Sequence, residues 1–254
     1  MRVISFSADG IKAAAENGFY DWLQEQDADF ICVQDLRCSE NDLRDTMFFP
    51  EAYNAYFLDD VDGKSNGVAI YCRELPKAIM TGLGFAGFDM EGRYIQADYQ
   101  NLSVACLLAP CAEAGNAEQQ EHKNEFFSLF GAHLQKVRNK RREYIICGNW
   151  HIAHNPADVQ DTERNSKVTG FLAEERQWMN ELLESGYVDA FREVNSDRDE
   201  FTWWPDGKRG ENGWRTDLQI VSEKLRYAID YGAIYKTREF SSHAPLIMDY
   251  DIEV

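Results

Sequence analysis

The feature that most constrains this chain is an end-to-end alternation of short apolar runs with amphipathic stretches. Residues 3–6, 30–33, 68–71, 95–99, 102–108, 144–147 and 218–221 each have strand length and are rich in β-branched or aromatic side chains. Between them the apolar residues fall at helical spacing. Phe19, Trp22 and Leu23 mark a helix within 18–27, Phe126, Phe127, Phe130, Leu134 and Val137 mark a second within 118–138, and Trp178, Leu182 and Leu183 mark a third over 173–184. Residues 95–99 and 102–108, joined by Gln100-Asn101, read as a hairpin, so the sheets are antiparallel or mixed rather than simply doubly wound. No repeat, low-complexity tract or Pro/Gly-rich linker divides the chain. Its 254 residues are near the limit of one hydrophobic core, so a single domain over 1–254 is expected. The longest polar stretches, 155–169 and 195–212, are expected to be surface loops with a functional role.

Composition removes several classes of function. A chain that is 44% hydrophobic and 13% aromatic does not stay disordered. No apolar run reaches the roughly eighteen residues of a membrane span, and the stretch after Met1-Arg2 is broken at once by Ser5, Ser7 and Asp9, unlike a secretion signal. A cytoplasmic location is expected. The six cysteines form no CxxC pair and read as reduced, mostly buried thiols, which argues against a cysteine zinc site. Lys and Arg number 26 against 44 Asp and Glu, a net charge of −18. Surfaces that neutralise phosphates are normally basic, so this balance argues against a free-standing nucleic-acid binder. A local patch still acts within a Debye length of roughly 8–10 Å.

Seven segments carry a more specific signal. They are Ile4-Ser5-Phe6-Ser7-Ala8-Asp9-Gly10-Ile11, Ile31-Cys32-Val33-Gln34-Asp35, Gly67-Val68-Ala69-Ile70-Tyr71, Glu91-Gly92-Arg93-Tyr94-Ile95-Gln96-Ala97-Asp98, Cys147-Gly148-Asn149-Trp150-His151-Ile152-Ala153-His154, Gly213-Trp214-Arg215-Thr216-Asp217 and Ser241-Ser242-His243-Ala244-Pro245-Leu246. In this order and spacing they resemble the exonuclease III and apurinic (AP) endonuclease branch of the DNase I-like endonuclease/exonuclease/phosphatase family, across the whole chain. The resemblance implies a four-layer α/β sandwich of two mixed β-sheets flanked by helices. It also implies metal-dependent phosphodiester hydrolysis, which needs hard oxygen ligands, an activated water and donors for the phosphate charge.

Several family positions are replaced. Ser7 stands for Asn, Asp35 for the metal-binding Glu, Leu108 for Tyr, Asn149 for Asp and His151 for Asn, while Ser242 replaces the Asp beside His243; Asp217 and His243 are kept. An amide at Asn149 cannot act as a general base, and Leu108 offers a phosphate no hydroxyl. Ser242 is expected to leave His243 without an orienting carboxylate. Asp35 and Asp217 alone make a poor Mg²⁺ site. These replacements lead to the expectation of a nuclease-fold protein that is not an enzyme, with no catalytic residue, no metal and no cofactor. Tuned residues in a variant enzyme, or a metal cluster of His151, His154 and Asp35, are the competing readings.

The replacements, together with Val33-Gln34-Asp35-Leu36-Arg37, Lys140-Arg141-Arg142-Glu143-Tyr144, Trp203-Trp204-Pro205-Asp206 and Phe240-Ser241-Ser242-His243, are similar to the catabolite repression control proteins. That resemblance implies a post-transcriptional regulator that acts with the RNA chaperone Hfq on A-rich mRNA, binding little RNA alone, and implies no membrane partner. Such proteins commonly keep Asn where Ser7 stands. The alternative is a metal-dependent exonuclease III-like AP endonuclease. Candidate RNA contacts are Lys136, Arg138, Lys140, Arg141 and Arg142, weighed against a basic helix end that complements the helix dipole. Arg93, Arg215 and the Trp203-Trp204 pair are further candidates, the tryptophans being equally readable as half core and half loop.

Overall fold

The apolar runs become strands sandwiched on both faces in the structure, a computed structural model that describes residues 1–253. In chain order these residues form β1 (Arg2–Ser7), β2 (Phe30–Gln34), β3 (Asn54–Leu58), β4 (Val68–Cys72), β5 (Ala78–Thr81) and β6 (Tyr94–Asp98). They continue with β7 (Leu102–Leu108), β8 (Glu143–Asn149), β9 (Tyr187–Asp189), β10 (Asp217–Ser222), β11 (Ile229–Ile234) and β12 (Leu246–Tyr250). Two six-stranded sheets result, ordered β11-β12-β1-β2-β4-β3 and β5-β6-β7-β8-β10-β9. Both are mixed, since β1 runs parallel to β2 and β7 parallel to β8 among otherwise antiparallel neighbours.

Alternate residues of each strand face two different cores, which is why the central strands are buried almost throughout and mostly apolar. Val3, Phe30, Cys32, Val68 and Ile70 of the first sheet meet Ile95, Val104, Cys106, Ile145 and Cys147 of the second in the middle layer. The intervening residues Ile4, Phe6, Ile31 and Val33 pack outward against α1 (Ile11–Glu16) and α2 (Phe19–Gln24) through Phe19, Tyr20, Trp22 and Leu23. On the far side, Ala105, Leu107, Ile146 and Ile220 meet α3 (Ala117–Val137) through Phe126, Phe127, Phe130 and Leu134. Asn116 starts α3 by accepting the Gln119 N–H at 3.2 Å, and each phenylalanine it buries contributes about 1.5–3 kcal/mol. Three further helices, α4 (Thr162–Asn165), α5 (Ala173–Glu184) and α6 (Ala190–Val194), complete the second half.

The seven strands read from the sequence are seven of the eight interior strands, and the hairpin at Gln100-Asn101 is present as β6–β7. Of the five missed strands, β3, β5, β9 and β11 are the four sheet edges, partly exposed or only three residues long, and the fifth is the interior β12. The cysteines are free, with Cys111 exposed and the other five buried. No helix among the described residues is long and apolar enough to cross a membrane.

Candidate functional site

The two sheets end side by side at one rim. β1 and β2 finish together there, β8 finishes at Asn149, and β10 begins at Asp217 directly opposite Asn149. Gly148 lets β8 lie close against β7, because a β-carbon at that position would fall onto the Leu107 carbonyl. As the chain leaves the strands, Asp9, Asp35, Arg37 and His151 take left-handed backbone, with φ of 50°, 59°, 52° and 49°. Residues other than glycine seldom hold this conformation, and four at one rim is the kind of stored strain that gathers at functional sites.

His243 and Asp217 form the centre of the rim. The His243 Nδ1 lies 2.7 Å from Asp217 Oδ2, and both side chains are buried. Burial works against protonating His243, but the Asp217 charge and hydrogen bond, helped by Asp9 and Asp35, raise its pKa above the ordinary histidine value. The expectation that Ser242 leaves His243 without a carboxylate is therefore corrected. The partner comes from the first residue of β10, not from the adjacent residue in sequence. Trp203 stacks on the His243 ring, centroids 5.8 Å apart and planes at 18°.

Ser242 does something else. Its backbone N–H donates to Asp9 Oδ2 at 3.0 Å, and its hydroxyl donates to the same oxygen. Arg37 spans the next gap, with Nε 3.1 Å from Asp35 Oδ1, and with Nη2 2.6 Å from Asp35 Oδ2 and 3.1 Å from Asp9 Oδ1. Burial would raise the Asp9 pKa, yet His243, the Ser242 donors and Arg37 together hold it below the usual value. Asp9 and Arg37 were absent from the sequence candidates. Each lies two residues beyond one that was considered, Ser7 and Asp35, a distance a strand-ending turn readily closes.

Asn149 and His151 fit each other. The Asn149 amide donates to His151 Nε2 at 3.1 Å and its oxygen accepts the His151 N–H at 3.0 Å, while His151 Nδ1 donates to the Ala109 carbonyl at 2.7 Å. This arrangement requires neutral imidazole. Burial, then the nearby Lys123 charge, push the His151 pKa down to about 3. Lys123, also missed in the sequence, is buried in α3 and donates to the His151 carbonyl at 2.8 Å and to Glu175 at 2.6 Å. Leu108 is buried and presents only its carbonyl, 3.4 Å from Arg93 Nη1. Ser7 Oγ, Thr216 Oγ1 and Asp217 Oδ1 are buried with no hydrogen-bond partner among the described residues.

The candidate RNA contacts separate. Trp203 stands on the cleft, in the wall of a cavity of about 270 Å³ that Trp214, Pro205, Thr216 and His151 also line. Trp204 is buried, with the Arg209 guanidinium 5.1 Å from its ring, and is corrected from a contact to core. Arg215 is fully buried between Asp158 and Asp189 and is likewise corrected to a structural ion pair. Arg93 is held by Glu91, and only 11% of its side chain is exposed. The basic run 136–142 precedes the first residue of β8, so it lies at the other end of that strand from Asn149, about 20 Å away at ~3.3 Å per residue. There Arg138 donates to the Ser185 carbonyl and Arg142 pairs with Asp98.

Asp9 and Asp35 offer a metal no free carboxylate oxygen, since all four are already engaged by Arg37 or Ser242. His154 turns to Asn180 at 2.6 Å, so His151, His154 and Asp35 form no cluster. Among the described residues no group of three or more His, Cys, Asp or Glu side chains could hold a metal ion.

Comparison with known proteins places this geometry in a family. Residues 10–233 match the Endonuclease/Exonuclease/phosphatase family. The chain is 29% identical to an exodeoxyribonuclease of Bacillus subtilis, over 97% of this chain and 98% of the relative. It is 30% identical to the DNA repair nuclease APEX1 of Danio rerio, over 98% and 81% respectively. Its fold superposes on an AP endonuclease of Archaeoglobus fulgidus with a TM-score of 0.91, at 23% identity and covering 99% and 100% of the two chains. A Neisseria 3′ phosphatase bound to a product DNA hairpin gives 0.89 at 22% identity, again covering 99% and 100%. Relatives that align along nearly the whole chain thus carry nuclease names, which corrects the expectation that the chain is not an enzyme. This chain belongs to the endonuclease/exonuclease/phosphatase family, with exonuclease III and AP endonuclease-like relatives.

Proposed function

We propose that the chain engages single-stranded nucleic acid at this cleft and that, together with the RNA chaperone Hfq, it holds A-rich mRNA as a cytoplasmic post-transcriptional regulator of carbon catabolite repression. The observation that carries the reading is the cavity of about 270 Å³ with Trp203 in its wall, beside the His243–Asp217 pair on which that tryptophan stacks. Stacking on an aromatic face is worth about 1–3 kcal/mol per base and tolerates any base. A net charge of −18 limits long-range attraction for phosphates, so a few short-range contacts serve best when a partner presents the strand at high effective concentration. The segments similar to the catabolite repression control proteins support the same partner. Binding of an A-rich RNA at about 0.1 M salt, with and without Hfq, tests the reading. Weak binding alone, a joint complex with Hfq, and about ten-fold weaker joint binding by Trp203→Ala are expected. Tight binding by the isolated chain, or an Hfq–RNA complex unchanged by its addition, overturns it.

A second reading is hydrolysis of the phosphodiester at abasic DNA, as the names of the relatives imply. Those names back it more directly than they back an RNA role. The specific observation in its favour is the buried His243–Asp217 pair, since a carboxylate that fixes Nδ1 leaves Nε2 for a phosphate oxygen. Incubation of abasic duplex with Mg²⁺ and the wild-type chain, beside His243→Ala and Asp35→Ala, discriminates. Cleavage that both substitutions abolish establishes this reading, and cleavage that persists in both marks a contaminating nuclease.

A further inference from the structure

Two carboxylates at the rim of a phosphodiesterase-like cleft are the usual beginning of a cation site, and the cation position here already holds a side chain. Arg37 meets Asp35 through two separate nitrogen–oxygen contacts at 3.1 and 2.6 Å, the planar fork that suits a guanidinium, and reaches Asp9 with the same Nη2 at 3.1 Å. The remaining Asp9 oxygen is taken by the Ser242 N–H and hydroxyl. We propose that the Arg37 guanidinium permanently occupies the place between Asp9 and Asp35 where a divalent cation would sit, so that anion binding in this cleft is independent of divalent metal.

Three observations carry this beyond an ordinary surface ion pair. First, the arginine is aimed by the backbone. Asp35 and Arg37 are both left-handed, and the turn is pinned by Leu36 N to the Gly67 carbonyl at 3.2 Å and Arg37 N to the Asn66 carbonyl at 2.8 Å. A side chain that merely finds a surface partner needs no such strain. Second, both of these carboxylates are fully engaged, each oxygen accepting from Arg37 or Ser242. Mg²⁺ or Mn²⁺ asks for about six oxygen ligands in near-octahedral geometry, and neither carboxylate has an oxygen left free. Third, Ser242, just before β12, is itself uncharged. Ser242 gives Asp9 two donors, which hold one carboxylate in place and compete with a metal for the same lone pairs. The positive charge at the rim is thus built into the chain, and a phosphate arriving there meets a guanidinium that is half exposed. The inference rests on this geometry alone and does not depend on which nucleic acid the cleft receives.

Removing the arginine should release the site. Mn²⁺ uptake, followed by loss of the free-ion electron paramagnetic resonance signal, is measured for the full chain as wild type, Arg37→Ala, Arg37→Gln and each combined with Asp35→Asn. The Asp35→Asn partner in every comparison subtracts diffuse binding to an acidic surface, and a melting curve confirms that each variant folds. Wild type should show no Asp35-dependent Mn²⁺ up to about 1 mM, whereas Arg37→Ala and Arg37→Gln should each gain one Asp35-dependent site at least about ten-fold tighter. An Asp35-dependent Mn²⁺ site in the wild type, or no gain in either folded Arg37 variant, overturns the proposal.

Discussion

Two arginine–aspartate clusters in this molecule use the same chemistry for different ends. Arg215 forks between Asp158 and Asp189 at 2.8 and 2.6 Å, with Arg192 completing a two-by-two set through Asp158 at 2.6 Å. Arg37 forks between Asp35 and Asp9 at 2.6 and 3.1 Å. The first arginine is wholly buried and the second has half of its side chain exposed. Burial opposes the charge on Arg215, yet its two aspartates raise its pKa, and the two arginines hold Asp158 well below the usual carboxylate range. Such a buried set is tolerable only when every charge is matched. It ties the 155–169 loop to the residues just before β10, and so fixes Asp217 beneath His243. The exposed cluster carries no comparable packing duty, and its guanidinium keeps half of its surface open to the cleft.

The contrast predicts that Arg215→Ala is the most damaging single change of the two clusters. It strands Asp158 and Asp189 in the interior, and breaking a buried pair typically costs about 3–5 kcal/mol. For a chain of this size that is a fall of roughly 10 °C in melting temperature. The loss should hardly vary with salt, since ions do not reach the pair. Urea unfolding at two salt concentrations measures it, and a loss below about 1 kcal/mol would remove the distinction between the buried strut and the exposed rim cluster.

A second test separates the two histidines at the rim, whose pKa values move in opposite directions. His151 is depressed to about 3, so its neutral hydrogen-bonded form stabilises the fold fully above the unfolded value near 6.5, and that contribution is lost as pH falls towards 3. His243 is raised, so its contribution is present in full below about 6.5 and is lost as pH climbs through its elevated value. The ceiling for either is about 1.4 kcal/mol per pH unit, and the partial exposure of His151 lowers its share. Stability measured across pH 4–9 should therefore show a shallower acid limb in His151→Asn and a shallower alkaline limb in His243→Asn. The reverse assignment would mean that the partners drawn for these rings are wrong.

The sequence was most legible where burial was most complete. Strands covered on both faces, such as β2 and β7, cannot hide their apolar run, and α3 announces itself through Phe126, Phe130 and Leu134. Edge strands give a weaker signal, β5 because it is only four residues long and β11 because Asp230 and Gly232 break its apolar run. The interior strand β12 escaped for another reason, since Asp249 interrupts its run in order to pair with Arg2 at 2.8 Å. At the site, residue types transferred well but partnerships did not. Reading His243 beside Ser242 suggested an orphaned imidazole, because a linear motif cannot show that β10 delivers Asp217 from 26 residues away. Charge density misled in the opposite way. The run 136–142 is the most basic stretch of the chain, yet it sits at the far end of β8, while the half-exposed cation at the rim is Arg37, next to an acidic residue in a short turn.

The smallest effect is the one that sharpens the contrast between the clusters most. Arg37→Ala removes three charge-assisted contacts, but they are made at a half-exposed rim where paired charges are worth about 0–1 kcal/mol. The fold should therefore lose no more than about 1 kcal/mol, and even that difference should shrink as salt rises. A loss of 3 kcal/mol or more, approaching that of Arg215→Ala, would mean that Arg37 is a strut, held by the fold for stability rather than for what the cleft receives. A loss near zero with the turn at Asp35 still left-handed would mean the opposite. The strain at Asp35 and Arg37 would then be maintained by the backbone contacts to Asn66 and Gly67 alone, and its use would lie in keeping a guanidinium between two carboxylates.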